Sequence, residues 1–490
     1  MERTVGLLAL LGTAVLFASL GVLATVIGSM RSGEAAERPN IIFVLTDDQF
    51  PGTESMMPNL KNNITSQGVE FTNMTSTFPL CCPGRATILR GQYAHNTRIY
   101  GNNLPVGGWE KFRNRGLENS TIATWLNDAG YRTGLFGKYM NNYRALTVPR
   151  GWDRWYAWNG VKEGWTALND QGNQEPLTRQ EADSGVSKAA LKFLGNHVGN
   201  RAPVFAFVNF GAAHNPYPHA QVDAEKFQGT GVPRNSAFNE DDVADKPSYI
   251  SSLPPLSGSD TSDLDEYYRR GLRSLMRVDR FVGSASDLLR SKGEMRETYF
   301  VFYTDNGSHF GQHRFGRGKL QPYEDDVNFP LIMRGPGIPH GVRNGELVGN
   351  HDIAPTIARM GGANIPSFVD GRNFLTLAQD SDISRYRTAI LSEGRTEDVP
   401  QTNWSMLRMR EKIYTRYENG EREYYDLTVD PYQVNNALGP SDTTYPPPGN
   451  ATLTYYKRRL DALDACTGRK GPESCGEAED APVDPASSLP

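Results

Sequence analysis

Cys81-Cys82-Pro83-Gly84-Arg85 is the segment whose residue types and spacing speak most directly of chemistry. Pro83 suits the first turn of a helix, because it has no N–H to leave unsatisfied. That predicts Cys81 near a helix N-terminus, where free N–H groups and the dipole favour anions and lower a thiol pKa. Adjacent cysteines rarely close a relaxed disulfide, so Cys81 and Cys82 need another explanation. As a plain thiol Cys81 would pair with a His or a metal; two buried structural cysteines are the alternative. Asp47-Asp48 and Asp305-Asn306-Gly307 offer carboxylate and amide oxygens, although each alone is also ordinary turn and cap chemistry. Lys138 and His214 add groups that bind anions or metals.

The elements that must position these residues share one arrangement. Ile41–Leu45 leads into Thr46-Asp47-Asp48, Thr133–Phe136 into Gly137-Lys138, Val204–Phe210 into Gly211-Ala212-Ala213-His214, and Tyr299–Tyr303 into Thr304-Asp305-Asn306. Continuous runs of this length, rich in Val, Ile and Phe, read as strands buried on both faces. Helices are expected between them at Thr121–Ala129 and around Asp263–Ser291. Alternating strands and helices imply an α/β fold with a mainly parallel sheet flanked by helices. In such sheets ligands bind beyond the carboxyl ends of the strands. Four ends loaded with Asp, Lys, His and Asn are therefore expected to converge.

From about Ala389 the texture changes to short alternating segments, Ala389–Glu393, Trp404–Arg410, Glu411–Tyr417 and Arg422–Leu427. They read as a smaller C-terminal antiparallel sheet, with Leu453–Leu463 as a closing helix. The expected organisation is an export or anchor segment over 1–36, a catalytic domain over 38–380, the antiparallel-sheet subdomain over 385–475, and a disordered tail over 476–490. Gln228–Thr261, rich in Pro, Ser, Gly and Asp, reads as a surface insertion.

Bulk properties narrow the function classes. A net charge of -5 and a pI near 6.0 give no basic field for nucleic acid. The uncharged, mostly apolar run Val5–Met30 is long enough to span a bilayer and reads as an export signal or a retained anchor. Either implies an extracytoplasmic protein, where Cys466 and Cys475 could close a small loop.

C-x-P-x-R at Cys81–Arg85 resembles the formylglycine signature of the type I sulfatases, part of the alkaline phosphatase superfamily. The surrounding LCCPGRATILRGQYAHN looks especially like the N-acetylglucosamine-6-sulfatase group. The similarity continues in order through RPNIIFVLTDDQ, FGKYMNNY, AAHNPYPH, YTDNG, YEDDVNFPLIMRGPGI, NHDIAPTI and YYDLTVDPYQVNN, from about Arg38 to Cys475. The resemblance implies an alkaline-phosphatase-like fold and hydrolysis of a sulfate ester. It implies a calcium ion held by Asp47, Asp48, Asp305, Asn306 and the modified Cys81, and hard oxygen ligands of this kind suit calcium. It also implies a formylglycine-generating enzyme as maturation partner. In the family the aldehyde hydrates to a diol; one hydroxyl attacks sulfur, and the second, once deprotonated, expels sulfate and restores the aldehyde.

The same resemblance distributes further roles. Arg85 matches the residue that holds the diol oxygens, and Lys138 the lysine bridging nucleophile and sulfate. Lys319 matches the lysine contacting sulfate and the leaving oxygen. His214 matches the sulfate-site histidine, a proton donor to the leaving group. Two departures stand out. Lys138 is followed by Tyr139-Met140-Asn141 where many sulfatases carry a His two residues on, so Asn141 or Asn142 becomes a sulfate- or sugar-binding candidate. Gly84 replaces the Ser commonest inside the signature. His95, His309 and His313 are expected to support the site, and His351 to belong to the fold. Tyr100, Tyr139, Trp152, Trp155, Tyr156, Trp158 and Trp165 form either a sugar-stacking rim or packing. The expected substrate is a sulfated sugar such as N-acetylglucosamine-6-sulfate, free or within a glycosaminoglycan; aryl sulfates are the alternative. The rival functions are a formylglycine-dependent phosphonate or phosphate ester hydrolase and a carbohydrate-binding homologue with unmodified Cys81.

Overall fold

The computed structural model describes residues 38–483, apart from 145–146, 162–163, 169–171, 381, 384–385, 396–402, 441–444 and 472. The expectations for 1–36 and for the tail beyond 483 lie outside the described residues. Sixteen strands are described: β1 Asn40–Thr46, β2 Val69–Thr75, β3 Arg132–Gly137, β4 Arg154–Val161, β5 Gly164–Leu168, β6 Gln174–Leu177, β7 Val204–Asn209, β8 Thr298–Thr304, β9 His309–Phe310, β10 Arg317–Gly318, β11 Leu331–Arg334, β12 Val342–Gly349, β13 Ala389–Gly394, β14 Trp404–Met409, β15 Lys412–Tyr417 and β16 Arg422–Asp426.

Ten of them form one sheet in the order β12-β2-β11-β8-β1-β7-β3-β4-β5-β6. Its centre, β8-β1-β7-β3-β4, is wholly parallel. Every residue of β1, β7 and β8 is buried, as continuous apolar runs covered on both faces require. The mainly parallel sheet flanked by helices is the expected fold class. β13–β16 form the smaller antiparallel sheet, and Asn450–Ala465 is its closing helix.

The long helix Gly258–Ser291 shows why the flanking layer forms. Ser257 and Asp260 cap it reciprocally: the Asp260 amide donates to Ser257 Oγ at 3.2 Å, and the Ser257 amide to Asp260 Oδ2 at 2.9 Å. Leu264, Tyr268, Leu272, Leu275, Val278, Val282, Ala285 and Leu289 recur at three- and four-residue spacing and are buried as one stripe. Deleting such a side chain, as in Leu272→Ala, costs about 2–5 kcal/mol. Among the described residues no helix is long and apolar enough to cross a membrane.

Most of Gln228–Thr261 lies at the surface, as expected, but it is anchored from within: Val243 and Ile250 pack with Trp404, Met406 and Ile413 of the small sheet, and Lys246 is fully buried, 3.4 Å from Glu240. A few apolar anchors and one ion pair draw a loop-like composition inward, and its last residues, from Gly258, are the first turn of the long helix. The tail, expected to be disordered, is ordered as far as it is described. Cys475–Asp480 is a helix, and its buried Glu479 meets His351 Nε2 at 2.8 Å and Arg372 Nη2 at 3.0 Å. Polar composition suggested disorder because these charges find their partners only in the folded chain. Cys466 and Cys475 are joined as a disulfide, which closes the loop leading into that helix.

Candidate active site

Register brings the chemistry together. Thr46 pairs with Thr304, Leu45 with Asn209, and Asn209 with Gly137, so β8, β1, β7 and β3 end at one level. The next residues, Asp305, Asp47, the turn to His214, and Lys138, therefore share one rim. Gly137 has φ 108° and an ideal Cβ there would lie 1.7 Å from the Asn209 carbonyl oxygen; only glycine allows the approach that places Lys138. Asp48 sits in the left-handed region at φ 56°, a conformation that Asp tolerates better than most residues.

Cys81 opens the helix Cys81–Arg90, with Pro83 in its first turn as expected. Its Sγ lies 3.5 Å from Asp47 Oδ1, 3.9 Å from Asp48 Oδ1 and 2.8 Å from Lys319 Nζ. Lys319 also donates to Asp48 Oδ1, and Lys138 to Asp47 Oδ2. Arg85 Nε donates to Asp305 Oδ2 at 2.8 Å, and Arg85 Nη1 to the Lys138 carbonyl at 2.8 Å and to Asn209 Oδ1 at 3.3 Å. Asn306 Nδ2 donates to Asp48 Oδ1 at 2.7 Å. His214 Nε2 stands 3.6 Å from Asp48 Oδ2, half exposed. Nine of the ten candidate residues thus stand together, and Asn141 lines the cavity beside them.

The thiol departs from expectation. Burial, and then the charge of Asp47, push Cys81 up to about 12, whereas a helix N-terminus alone would lower it. In the field of the protein's own groups Cys81 is a neutral thiol, the less reactive form. Burial also works against ionised Asp47 and Asp48, but for Asp47 it is outweighed by Lys138, His214, Arg85 and Lys319, and for Asp48 by Lys319 and His214, which hold both carboxyls below the usual range. Asp305 moves the other way, raised by burial and by Asp47 in spite of Arg85.

That imbalance bears on the metal. Ligand oxygens of Asp47, Asp48 and Asp305 lie within 4.8 Å of one another, and buried Asn306 Oδ1 has no hydrogen-bond partner. Three carboxylates and an unsatisfied amide oxygen form a hard donor set that fits a divalent cation such as calcium.

A cavity of about 210 Å³ opens from Asp47, Lys138 and His214, lined further by Asn141, Asn142, Trp158, Asp183 and Asn215. Asn141 Oδ1 is buried there without a hydrogen bond. Of the aromatic set, Trp158 lines the cavity, while Tyr139, Trp152, Trp155 and Tyr156 are core packing. Tyr100 packs on Phe78. The Trp165 side chain lies outside the described residues. His95 does not support the site; it meets Glu393 at 3.2 Å and the Cys466 carbonyl at 3.0 Å. His313 pairs with Glu240 at 2.6 Å. His309 meets Asp326 Oδ1 at 2.9 Å, and Asp326 Oδ2 accepts from the Gln321 amide at 2.7 Å, bracing the segment that carries Lys319. His351 is buried in the Glu479 cluster and belongs to the fold.

Sequence reasoning missed Asn209, which shares Arg85, and Asp183, which lies in the unforeseen helix Arg179–His197. The signal for that helix was the capping box Thr178-x-x-Glu181, whose side chains meet at 2.7 Å.

Comparison with known proteins gives the same reading as the geometry. The family model "Sulfatase" matches residues 39–363, and "N-sulphoglucosamine sulphohydrolase, C-terminal" matches 311–445. The extracellular sulfatase SULF-1 homolog of Drosophila melanogaster is 32% identical over 409 residues, 78% of this chain and 36% of its own length. The N-acetylglucosamine-6-sulfatase of Capra hircus is 29% identical, covering 90% of this chain and 86% of its own. This chain spans about half or less of the length of the SULF-1 homologues it matches. A solved structure in complex with its substrate D-glucosamine-2-N,6-O-disulfate superposes with a TM-score of 0.71 at 21% identity, over 87% of this chain and 96% of that one, a likeness of fold. With a family model matching most of its length and its four strand ends meeting at Cys81, the chain belongs to the sulfatase family.

Proposed function

We propose that this chain hydrolyses the sulfate ester of a sugar, N-acetylglucosamine-6-sulfate or a related residue of a glycosaminoglycan, outside the cytoplasm. The observation that carries the reading is the gathering of Lys138, Lys319, Arg85 and His214 with three carboxylates around the Cys81 side chain. A sulfate ester is an anion, and a pocket that receives it must concentrate positive charge where further charge develops.

Formylglycine made from Cys81 by a formylglycine-generating enzyme supplies the nucleophile when present; the raised pKa of the unmodified thiol supports a chemistry other than thiolate attack. Asp47, Asp48, Asp305, Asn306 and the modified Cys81 would hold calcium, which would supply Lewis acidity there. Around these, Arg85 fixes Asp305 and the Lys138 backbone, so the helix of Cys81 and the ends of β8 and β3 keep one geometry. Lys319, 2.8 Å from Cys81 Sγ, screens charge on the nucleophile and on the ester oxygen. Lys138 holds the sulfate from the other lysine position, and His214 donates a proton to the departing alcohol. Asn141 and Trp158, which line the cavity, receive the sugar.

The test is a panel of sulfated mono- and disaccharides with matched aryl sulfate and aryl phosphate esters, scored by released sulfate or phosphate. A preference for 6-sulfated hexosamine supports the reading; a preference for the phosphate ester overturns it.

A further inference from the structure

We infer that Asp183 is a positioning residue for proton delivery to the leaving alcohol, acting through His214; this rests on the proposed role of His214. Asp183 lies in the first turns of the helix Arg179–His197 and is fully buried. Its Oδ1 accepts from the Gly211 amide at 2.8 Å and its Oδ2 from the Ala212 amide at 3.1 Å. These are the two N–H groups that open the turn after β7.

That turn carries His214 and contacts the metal-type ligands. The His214 amide donates to the Gly211 carbonyl at 2.8 Å, and the Ala212 carbonyl accepts from the Asp47 amide at 2.9 Å. The turn also lies against Trp158: an ideal Cβ on Gly211 would stand 2.7 Å from that ring. The turn is thus held by an aromatic ring and a two-pronged carboxylate. The His214 ring has little support of its own, a 2.6 Å contact from Nδ1 to the Asn215 carbonyl and the 3.6 Å approach to Asp48. Its place is therefore set by its backbone, and Asp183 fixes that backbone. A buried carboxylate is costly, and hydrogen bonds to main-chain N–H groups offset that cost. Proton transfer needs the donor within hydrogen-bond reach of the leaving oxygen, so a shift of His214 weakens this step before it weakens sulfate binding.

The discriminating measurement is the ratio of kcat for a sugar 6-sulfate, whose alcohol leaves only with a proton, to kcat for nitrophenyl sulfate, whose phenolate leaves without one. It is made on the metal-loaded, matured enzyme and on Asp183→Asn, Asp183→Ser and His214→Ala. General acid catalysis contributes about 10²–10⁴-fold, so partial misplacement should lower the ratio about 10- to 100-fold in both Asp183 variants, in the direction of His214→Ala. An equal fall for both esters in both variants, complete loss included, makes Asp183 a purely structural residue and overturns the inference. If His214→Ala lowers the ratio and neither Asp183 variant does, the inference alone fails. If His214→Ala leaves the ratio unchanged, the role given to His214 fails, and the inference with it.

Discussion

Arg85 and Asp305 form a buried ion pair, Nε to Oδ2 at 2.8 Å, with side chains 2% and 0% exposed. The pair joins the first turns of the Cys81 helix to the end of β8, so the segment that carries Cys81 and the segment that carries Asp305 and Asn306 cannot move apart independently. Helix and strand end are also pressed close: an ideal Cβ at Gly84 would lie 2.6 Å from the Asp305 carbonyl oxygen. Breaking a buried pair from one side leaves an uncompensated charge and costs about 3–5 kcal/mol. Arg85→Gln is therefore expected to lower Tm and abolish turnover together. Arg85→Lys, which cannot supply three donors in a fixed fork, should recover part of the stability and little activity. Thermal melts of the three proteins, beside sulfate release, check this; an unchanged Tm in Arg85→Gln would count against the pairing.

Cys81→Ala removes the atom on which the proposed chemistry depends, and should eliminate nearly all turnover with the fold intact. Lys138→Ala should lower kcat by about 10²–10³-fold, the usual cost of one electrostatic contact to developing charge. Circular dichroism and sulfate release decide the case, and substantial activity in either variant contradicts the assigned role.

Metal removal should act on stability as well as on rate. Three carboxylates within 4.8 Å repel one another unless a cation is shared. Calcium at about 100 times its Kd should stabilise the folded chain by about 2.7 kcal/mol. A chelator should lower Tm and activity, and added calcium should restore both. Asp305→Asn is expected to blunt the calcium-dependent rise in Tm. A melting curve indifferent to calcium would argue against this ligand set.

The C-terminal helix predicts a pH dependence unrelated to catalysis. Burial alone would raise the Glu479 carboxyl, but Arg387, His351 and Arg372 outweigh it and hold it at about 2. An unfolded Glu titrates near 4.3, so the folded value is the depressed one. The stabilisation is complete above about pH 4.3 and is lost as pH falls toward 2. Glu479→Gln should melt well below the parent protein at neutral pH, and the gap should narrow below about pH 4. A gap constant from pH 7 to pH 3 would show that the ion cluster does not stabilise the helix.

The centre of the fold was legible because buried parallel strands are apolar throughout, so IIFVL, VFAFV and YFVFY announce themselves and point at the residues after them. β2, β12 and the β4–β6 extension were not, since strands such as VRNGELVG mix polar residues with no continuous run. In the site, the residues of the Cys81 signature and the strand ends could be read because each sits beside a motif. Asp183 and Asn209 could not: each acts only through a neighbour that is distant in sequence. The thiol pKa was misjudged for the same reason. The helix N-terminus is local and visible, whereas the burial and the Asp47 charge that outweigh it arise from tertiary packing.

Preparations of the chain matured to different extents by a formylglycine-generating enzyme would bear on the nucleophile itself. Peptide mass spectrometry over Cys81–Arg85 gives the aldehyde fraction, and sulfate release from N-acetylglucosamine-6-sulfate gives the rate for the same samples. The rate should rise in proportion to the aldehyde fraction and extrapolate to zero for the all-thiol protein. A rate independent of that fraction would show that the group at position 81 is not what attacks the ester.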